Sequence, residues 1–208
     1  MSDDSILKSV NRYYTGKVFE HGPTPRGVDW NSEDSQRLRF QQLLKLCEED
    51  SDFSIIDYGC GYGALLQHLR DRKIPCRYVG FDISPQMLEQ AAELTRESKT
   101  IRYVHDENEL SAADYTVASG VFNVKLRHSQ RQWEGYVSGL IEGFDRLSEK
   151  GFAFNMLTRY CDSDKTRDDL FYADPCFYFD LCQRLFSRNV TLLHDYDLYE
   201  FTLLVRKK

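Results

Sequence analysis

The sequence predicts an α/β fold built on a mostly parallel sheet with helices on both faces. Three observations carry that prediction. Strand-like and helix-like segments alternate through the middle of the 208-residue chain. A β-forming run stops at three glycines in alternate positions, Gly59, Gly61 and Gly63, and a helical pattern begins directly after them. Two strand candidates close the chain with almost nothing between them. So tight a connection forces antiparallel pairing, because parallel neighbours need a crossover of about a dozen residues or more.

Taken in order, residues 1–30 read as an aromatic, turn-rich lead-in, and HGPTPRG (His21–Gly27) holds too much glycine and proline for a helix. From Ser32, a capping residue, a helix is expected, since Phe40, Leu43, Leu44 and Cys47 recur at i, i+3, i+4 and i+7. Strands are expected at Phe53–Tyr58, Arg77–Phe81, Ile101–Val104, Tyr115–Ser119 and Phe152–Leu157. Helical patterns fall at Ala64–Arg72 and Pro85–Glu97. A third covers Gln130–Leu147, where Trp133, Tyr136, Val137, Leu140, Ile141, Phe144 and Leu147 share one face and make Trp133 a core residue. This alternation implies right-handed crossovers between parallel strands. A helix at Pro175–Phe186 and strands at Val190–Tyr196 and Tyr199–Arg206 complete the chain, so one strand near the sheet edge should run in reverse. No internal repeat or long linker divides the sequence, and residues 1–208 are read as a single domain.

Composition narrows the function classes. Hydrophobic residues make up 41% and charged residues 29%, an ordinary globular balance. Net charge is −6 and the isoelectric point about 5.4, which argues against nucleic acid or an anionic membrane as the main partner. No apolar run approaches the roughly 20 residues of a membrane span. The start, MSDDSILKSVNRYY, has no apolar segment of the secretory kind. The six cysteines include no CxxC pair, so neither a disulfide framework nor a zinc site is expected, and a cytoplasmic location follows.

Chemistry concentrates at the glycine turn. Strand, Gly59-x-Gly61-x-Gly63, then helix is a nucleotide-type loop: glycines let a ligand approach the main chain, and the following helix offers unpaired N–H groups. Asp82 ends the next strand, about where such folds place a carboxylate for ribose hydroxyls. The glycines alone leave the cofactor open, because Gly59-x-Gly61-x-x-Ala64 also satisfies the dinucleotide fingerprint of a nicotinamide-dependent oxidoreductase. Three features point away from a dinucleotide. Asp57, two residues before Gly59, suits a cation such as an α-ammonium group and would repel a pyrophosphate. The parallel run is too short for two mononucleotide halves, and a dinucleotide fold has no use for the antiparallel ending.

The segments IIDYGCGYG, YVGFDISPQML and DYTVASGVFN together resemble the class I S-adenosylmethionine-dependent methyltransferases, particularly the small free-standing methyltransferase-domain enzymes, over roughly residues 35–208. The resemblance implies a Rossmann-like seven-stranded sheet of order 3-2-1-4-5-7-6 with strand 7 antiparallel, and S-adenosylmethionine as cofactor. Asp57 and the loop of Gly59, Cys60, Gly61 and Gly63 would then face the methionine portion. Asp82 would hold the ribose diol, Ile83 and Met87 would flank the adenine, and Asp106 or Glu107 would meet its amino group. Ser119 and Gly120 would stand beside the sulfonium. Cys60 itself reads as a small residue filling in behind the turn. A non-catalytic cofactor-binding module would carry the same residues.

The acceptor is less legible. SGVFNVK (Ser119–Lys125) lacks the proline-containing run of enzymes that methylate nucleic-acid amino groups, and with the acidic charge this favours a small molecule. Four regions outside the shared core are candidates for its pocket. Residues 1–31, with Tyr13, Tyr14, His21, Arg26 and Trp30, form either a lid or an N-terminal arm. Asn123 follows the fourth strand. The insertion at residues 157–175 carries Arg159, Tyr160 and Tyr172 and is long for a connection in a compact domain. His194 lies near the final turn, where a surface role is expected. DSDKTRDD interleaves its acids with Lys165 and Arg167 and reads as a solvated face, so no metal is expected. The oligomeric state and the need for a general base are left open.

Overall fold

Seven strands, β1 (Ser54–Tyr58), β2 (Arg77–Phe81), β3 (Ile101–Val104), β4 (Ala113–Ala118), β5 (Ser148–Leu157), β6 (Asn189–Leu193) and β7 (Glu200–Arg206), lie in the order β3-β2-β1-β4-β5-β7-β6. They come from a computed structural model that describes residues 3–28, 32–93 and 100–208. Strands β1 to β5 pair in parallel, while β7 runs antiparallel to both β5 and β6. The reversed strand read from the tight C-terminal connection is therefore β7.

Among the described residues six α-helices surround the sheet: α1 (Asp3–His21), α2 (Glu33–Leu44), α3 (Ala64–Asp71), α4 (Pro85–Glu93), α5 (Gln130–Arg146) and α6 (Pro175–Leu185). One apolar cluster joins Phe40, Leu43 and Leu44 of α2 and Leu65, Leu66 and Leu69 of α3 to Ile55, Tyr78 and Val117 of the strands. A second joins Trp133, Val137, Ile141 and Phe144 of α5 and Tyr178 and Cys182 of α6 to Ile56, Phe152 and Phe154. Alternate residues of each strand thus feed alternate faces, as the strand period requires. Trp133 is fully buried, and its indole N–H donates to the Phe122 carbonyl at 2.8 Å, so the apolar face of α5 carries no unsatisfied donor there.

Local signals set the helix starts. The Ser32 hydroxyl accepts from the Ser35 N–H, Ser129 and Gln132 form a reciprocal capping box, and Asp174 accepts from the N–H groups of Cys176 and Phe177 with Pro175 in the first turn.

The lead-in is a correction. Residues 3–21 form a 19-residue helix rather than turns, because Ile6, Val10 and Val18 recur on one side and are all buried. The glycine–proline stretch acts only from Gly22, whose φ of +68° follows the last helical residue, and Pro25–Val28 adds a single 3-10 turn. Smaller differences have similar causes. β5 begins four residues early because Ser148 pairs with Ala113 of β4 and Gly151 with Tyr115, carrying Glu149 and Lys150 between them. The helix expected at Pro85–Glu97 is described to Glu93, and its remainder lies outside the described residues.

Strand order reverses between β1 and β4, since the chain leaves β1 toward β2 and β3 before returning to β4. Such a switch point leaves a crevice at the carboxyl ends of the strands, where ligands of open α/β sheets bind.

Candidate functional site

The crevice is built first by the turn after β1. The N–H groups of Gly59 and Cys60 both donate to the Phe81 carbonyl, at 2.8 and 2.9 Å, which folds the turn over the end of β2. Gly59 and Gly61 have φ of +79° and +54°. A Cβ on Gly59 would stand 2.6 Å from Cγ2 of Val121, so the turn needs glycine for both angle and space. Asp82 then ties the turn down: one carboxylate oxygen accepts from the Gly61 N–H at 2.8 Å and the other from the Ser84 N–H at 2.9 Å.

Above the turn lies a cavity with about 890 Å³ of empty space, the open solvent at its mouth included. Asp57, Gly59, Cys60 and Gly61 line it along the β1 turn, Asp82, Ile83 and Met87 after β2, and Ser119, Gly120 and Val121 after β4. Leu7, Val10 and Tyr14 of α1 line it as well, as do Val28, and Gln36 and Phe40 of α2. Polar contacts help to fix helix α1: the Ser9 hydroxyl meets Nε2 of His128 at 2.8 Å, and the Thr15 hydroxyl meets that of Ser84 at 3.1 Å.

Two buried carboxylates face this space. Burial pushes Asp57 up to about 7; the Tyr78 hydroxyl, donating at 2.6 Å, pulls it back, and the charge of Asp82 pushes it further up. Burial likewise raises Asp82 to about 6, against the pull of the Ser84 and Gly61 N–H groups and of His105. Among the described residues no lysine or arginine pairs with either carboxylate, and a site that costs two acids their solvation favours a ligand bearing positive charge or hydroxyl donors. Burial raises the Cys60 thiol well above its ordinary value, as expected of a residue filling space behind the turn.

The remaining residues singled out in the sequence lie elsewhere. Gly63 caps α3 at φ +89° and faces Ala91 and Tyr103, not the cavity. Asp106 caps the short turn Glu107–Glu109, and the Glu107 carboxylate accepts from the Tyr58 hydroxyl at 3.1 Å; both acids are exposed outside the cavity lining. Asn123 is 6% exposed and turned inward, its side-chain oxygen accepting from the Leu157 N–H at 3.2 Å. Tyr160 is exposed and stands beside the His194 ring, 6.1 Å between centroids. The Tyr172 hydroxyl accepts from the Arg167 N–H at 3.0 Å and so braces the 157–175 segment on itself. In the same segment Arg167 pairs with Asp169 and Arg159 with Asp174. Trp30 lies outside the described residues.

Sequence reasoning missed Leu7, Val10, Gln36, Phe40, Tyr62 and Tyr136 as cavity residues. The four-residue spacing of Ile6, Val10, Tyr14 and Val18 was a usable signal for α1. Nothing marked Gln36, a polar residue on a helix otherwise read by its apolar face.

Residues 56–140 match the family described as Methyltransferase domain. A protein of Mycobacterium tuberculosis that carries a provisional methyltransferase name, Rv1506c, is 45% identical over 164 residues, 79% of this chain and 99% of that one. Among solved structures, magnesium protoporphyrin IX methyltransferase from Synechocystis with bound S-adenosylhomocysteine is similar with a TM-score of 0.66 at 14% identity, covering 99% of this chain and 100% of that one. The N-methyltransferase NodS of Bradyrhizobium japonicum, also in complex with S-adenosylhomocysteine, reaches 0.64 at 15% identity over 95% of this chain and 97% of that one.

Proposed function

Since the chain belongs to the S-adenosylmethionine-dependent methyltransferases, we propose that it passes a methyl group to a small-molecule acceptor by in-line displacement beside Ser119 and Gly120. The observation that carries the placement is the pair of buried carboxylates, Asp57 and Asp82, on one glycine-lined cavity. The cofactor supplies a methyl group on a sulfonium, an excellent leaving group, so the protein's task is chiefly positioning, which can lower a barrier by about 7–11 kcal/mol.

Each cavity residue then has a physical role. Asp57 pairs with the α-ammonium group, and the glycine turn lets the amino-acid portion lie against the main chain. Asp82 accepts from the ribose hydroxyls, while Ile83 and Met87 offer apolar surface to the adenine. Helix α1, through Leu7, Val10 and Tyr14, acts as the lid that keeps water from the sulfonium. A dinucleotide pyrophosphate at this turn would instead meet two buried acids. The small-molecule acceptor rests on the net charge of −6, and the cytoplasmic location on the six unpaired thiols. Among the described residues no helix is long and apolar enough to cross a membrane.

The test is direct. S-adenosylhomocysteine should bind in calorimetry, and incubation with S-adenosylmethionine and fractionated small metabolites should accumulate S-adenosylhomocysteine with at least one fraction. Binding without accumulation in any fraction would favour a non-catalytic cofactor-binding module.

Binding should also depend on pH in a stated direction. Asp57 and Asp82 have folded values raised to about 7 and 6 from 3.8, so their protonated forms favour the ligand-free fold. Their stabilising contribution is full below about pH 4 and is lost as pH rises through about 6 to 7. An ammonium ligand needs Asp57 ionised. Affinity should therefore weaken about tenfold per pH unit below about 7, with a proton released on binding. Calorimetry at pH 6.5 in two buffers of different ionisation enthalpy reads that proton, and Asp57→Asn should remove most of its release, Asp82 with its lower value supplying the remainder. Proton-neutral binding by the wild type at pH 6.5 would contradict the role given to Asp57.

A further inference from the structure

We infer that two copies of this chain join edge to edge through β6, antiparallel about a twofold axis at Thr191, into one continuous sheet. None of the residues involved lines the cofactor cavity.

Strand β6 ends the sheet order, and among the described residues β7 is its only neighbour. The N–H and C=O groups on its outer side are a template for another strand, and edges are normally protected by a lysine, a proline or an inward-pointing charge. The run Asn189-Val190-Thr191-Leu192-Leu193 has none of these. Asn189 is exposed and the other four are only half-buried.

The residues at the two ends of the strand say what fits there. Arg188 precedes β6, His194 and Asp195 follow it, and all three are exposed. Among the described residues neither Arg188 nor Asp195 has an ion-pair partner. Tyr160, 61% exposed, stands beside the His194 ring. An edge with a cation at one end and an anion at the other is complementary to itself run backwards. A foreign strand would need the same charges in reverse order; a second copy carries them by construction.

The twofold also fixes the register. Directly opposed side chains share a face of the sheet, so an axis perpendicular to it pairs only residues an even number of positions apart. Centred on Thr191, the axis sets Val190 against Leu192 twice, and both lean on the cluster that holds α5 and α6. It sets Arg188 opposite His194, within reach of Asp195 and of the Tyr160 ring. One copy's cation thus meets the other's carboxylate and aromatic face at both ends of the junction. The same axis keeps both α6 helices on one face, flanking the seam. Helix α6 packs on β6 and leaves Phe177 and Leu185 55% and 60% exposed, apolar surface of the kind that association covers.

Sedimentation over a concentration series tests this. The wild type should pass from a single 24.4 kDa chain to a dimer. Thr191→Lys sets two like charges face to face on the axis and should weaken association by about tenfold or more. Arg188→Asp and Asp195→Arg should each weaken it by about tenfold, and the two together should restore it, because the charges have only exchanged places. Both positions are exposed, so the dilute variants should melt as the wild type does, which controls for folding. A monomer throughout the series would overturn the inference. So would a dimer that all three substitutions leave unchanged, since another surface would then hold it. Failure of the double exchange to recover association would overturn the pairing about Thr191.

Discussion

Replacing Asp82 by alanine is expected to weaken S-adenosylhomocysteine by at least about 100-fold, because two ribose hydroxyls would lose a charged acceptor at about 1.5–3 kcal/mol each. The effect should exceed that of those two bonds alone. In the ligand-free protein the same carboxylate accepts from the Gly61 and Ser84 N–H groups at 2.8 and 2.9 Å, so its removal also unties the turn from β2 and leaves two buried donors unpaired. The ligand's seat and its handle are lost together. Asp82→Asn separates the two contributions. Its amide oxygen keeps an acceptor for one main-chain N–H, so the turn should stay closer to its native form while the charged acceptor for the sugar is gone. Calorimetric titration of both variants, with melting temperatures as a control for folding, reads the difference. Affinity within threefold of wild type in a folded Asp82→Ala protein would mean that the sugar does not lie at Asp82.

Asp82 was legible in the sequence because everything that defines it is local: a β-forming run, an acid at its end, and a glycine turn one unit earlier. The boundaries of β2 and β3 were legible to the residue and those of β7 to within one for the same reason. By contrast, β5 begins four residues before the expected start, and β6, expected to Tyr196, ends at Leu193. The reversed strand came from loop length alone. What stayed hidden depends on contacts between distant residues. Asn123 follows β4, a place that suggests an acceptor contact, yet its side-chain oxygen accepts from the Leu157 N–H thirty-four positions on. Tyr172 sits in a loop whose length invited a functional reading, and its hydroxyl is occupied within that loop. Gln36 lines the cavity and accepts from Tyr62, twenty-six positions away, a contact that no local pattern announces. Helix α1 was obscured by its neighbours. The glycines and prolines after His21 dominated the reading of the whole N-terminal stretch, although the burial of Ile6, Val10 and Val18 outweighs them up to that point.

The least legible element carries the second large prediction. Arg39 of α2 and Glu200, the first residue of β7, are 161 positions apart, and their side chains are 7% and 1% exposed. The guanidinium donates to both carboxylate oxygens at 2.8 and 2.6 Å, and the Asn155 amide of β5 donates to the same carboxylate at 3.0 Å. The Asn155 side-chain oxygen accepts in turn from the Gly120 N–H at 2.8 Å, and Gly120 lines the cavity at φ +77°. A buried chain of charge and amide thus runs from α2 through β7 and β5 to the turn where the methyl group would be delivered. Removing one member of a buried pair leaves the other charge unsolvated, at a cost of about 3–5 kcal/mol. Glu200→Gln alone should therefore lower the melting temperature by about 10 °C, whereas Arg39→Met combined with Glu200→Gln should recover most of the loss, since neither charge is then buried. Urea unfolding of both single variants and the double variant closes the cycle. Additive losses would show that the two side chains are not energetically coupled. Asn155→Leu keeps the ion pair but removes the amide's donation to Glu200 and frees the Gly120 N–H, so its expected signature is different: a smaller fall in stability than Glu200→Gln, with a measurable loss of S-adenosylhomocysteine affinity, because the wall after β4 is no longer held against the sheet.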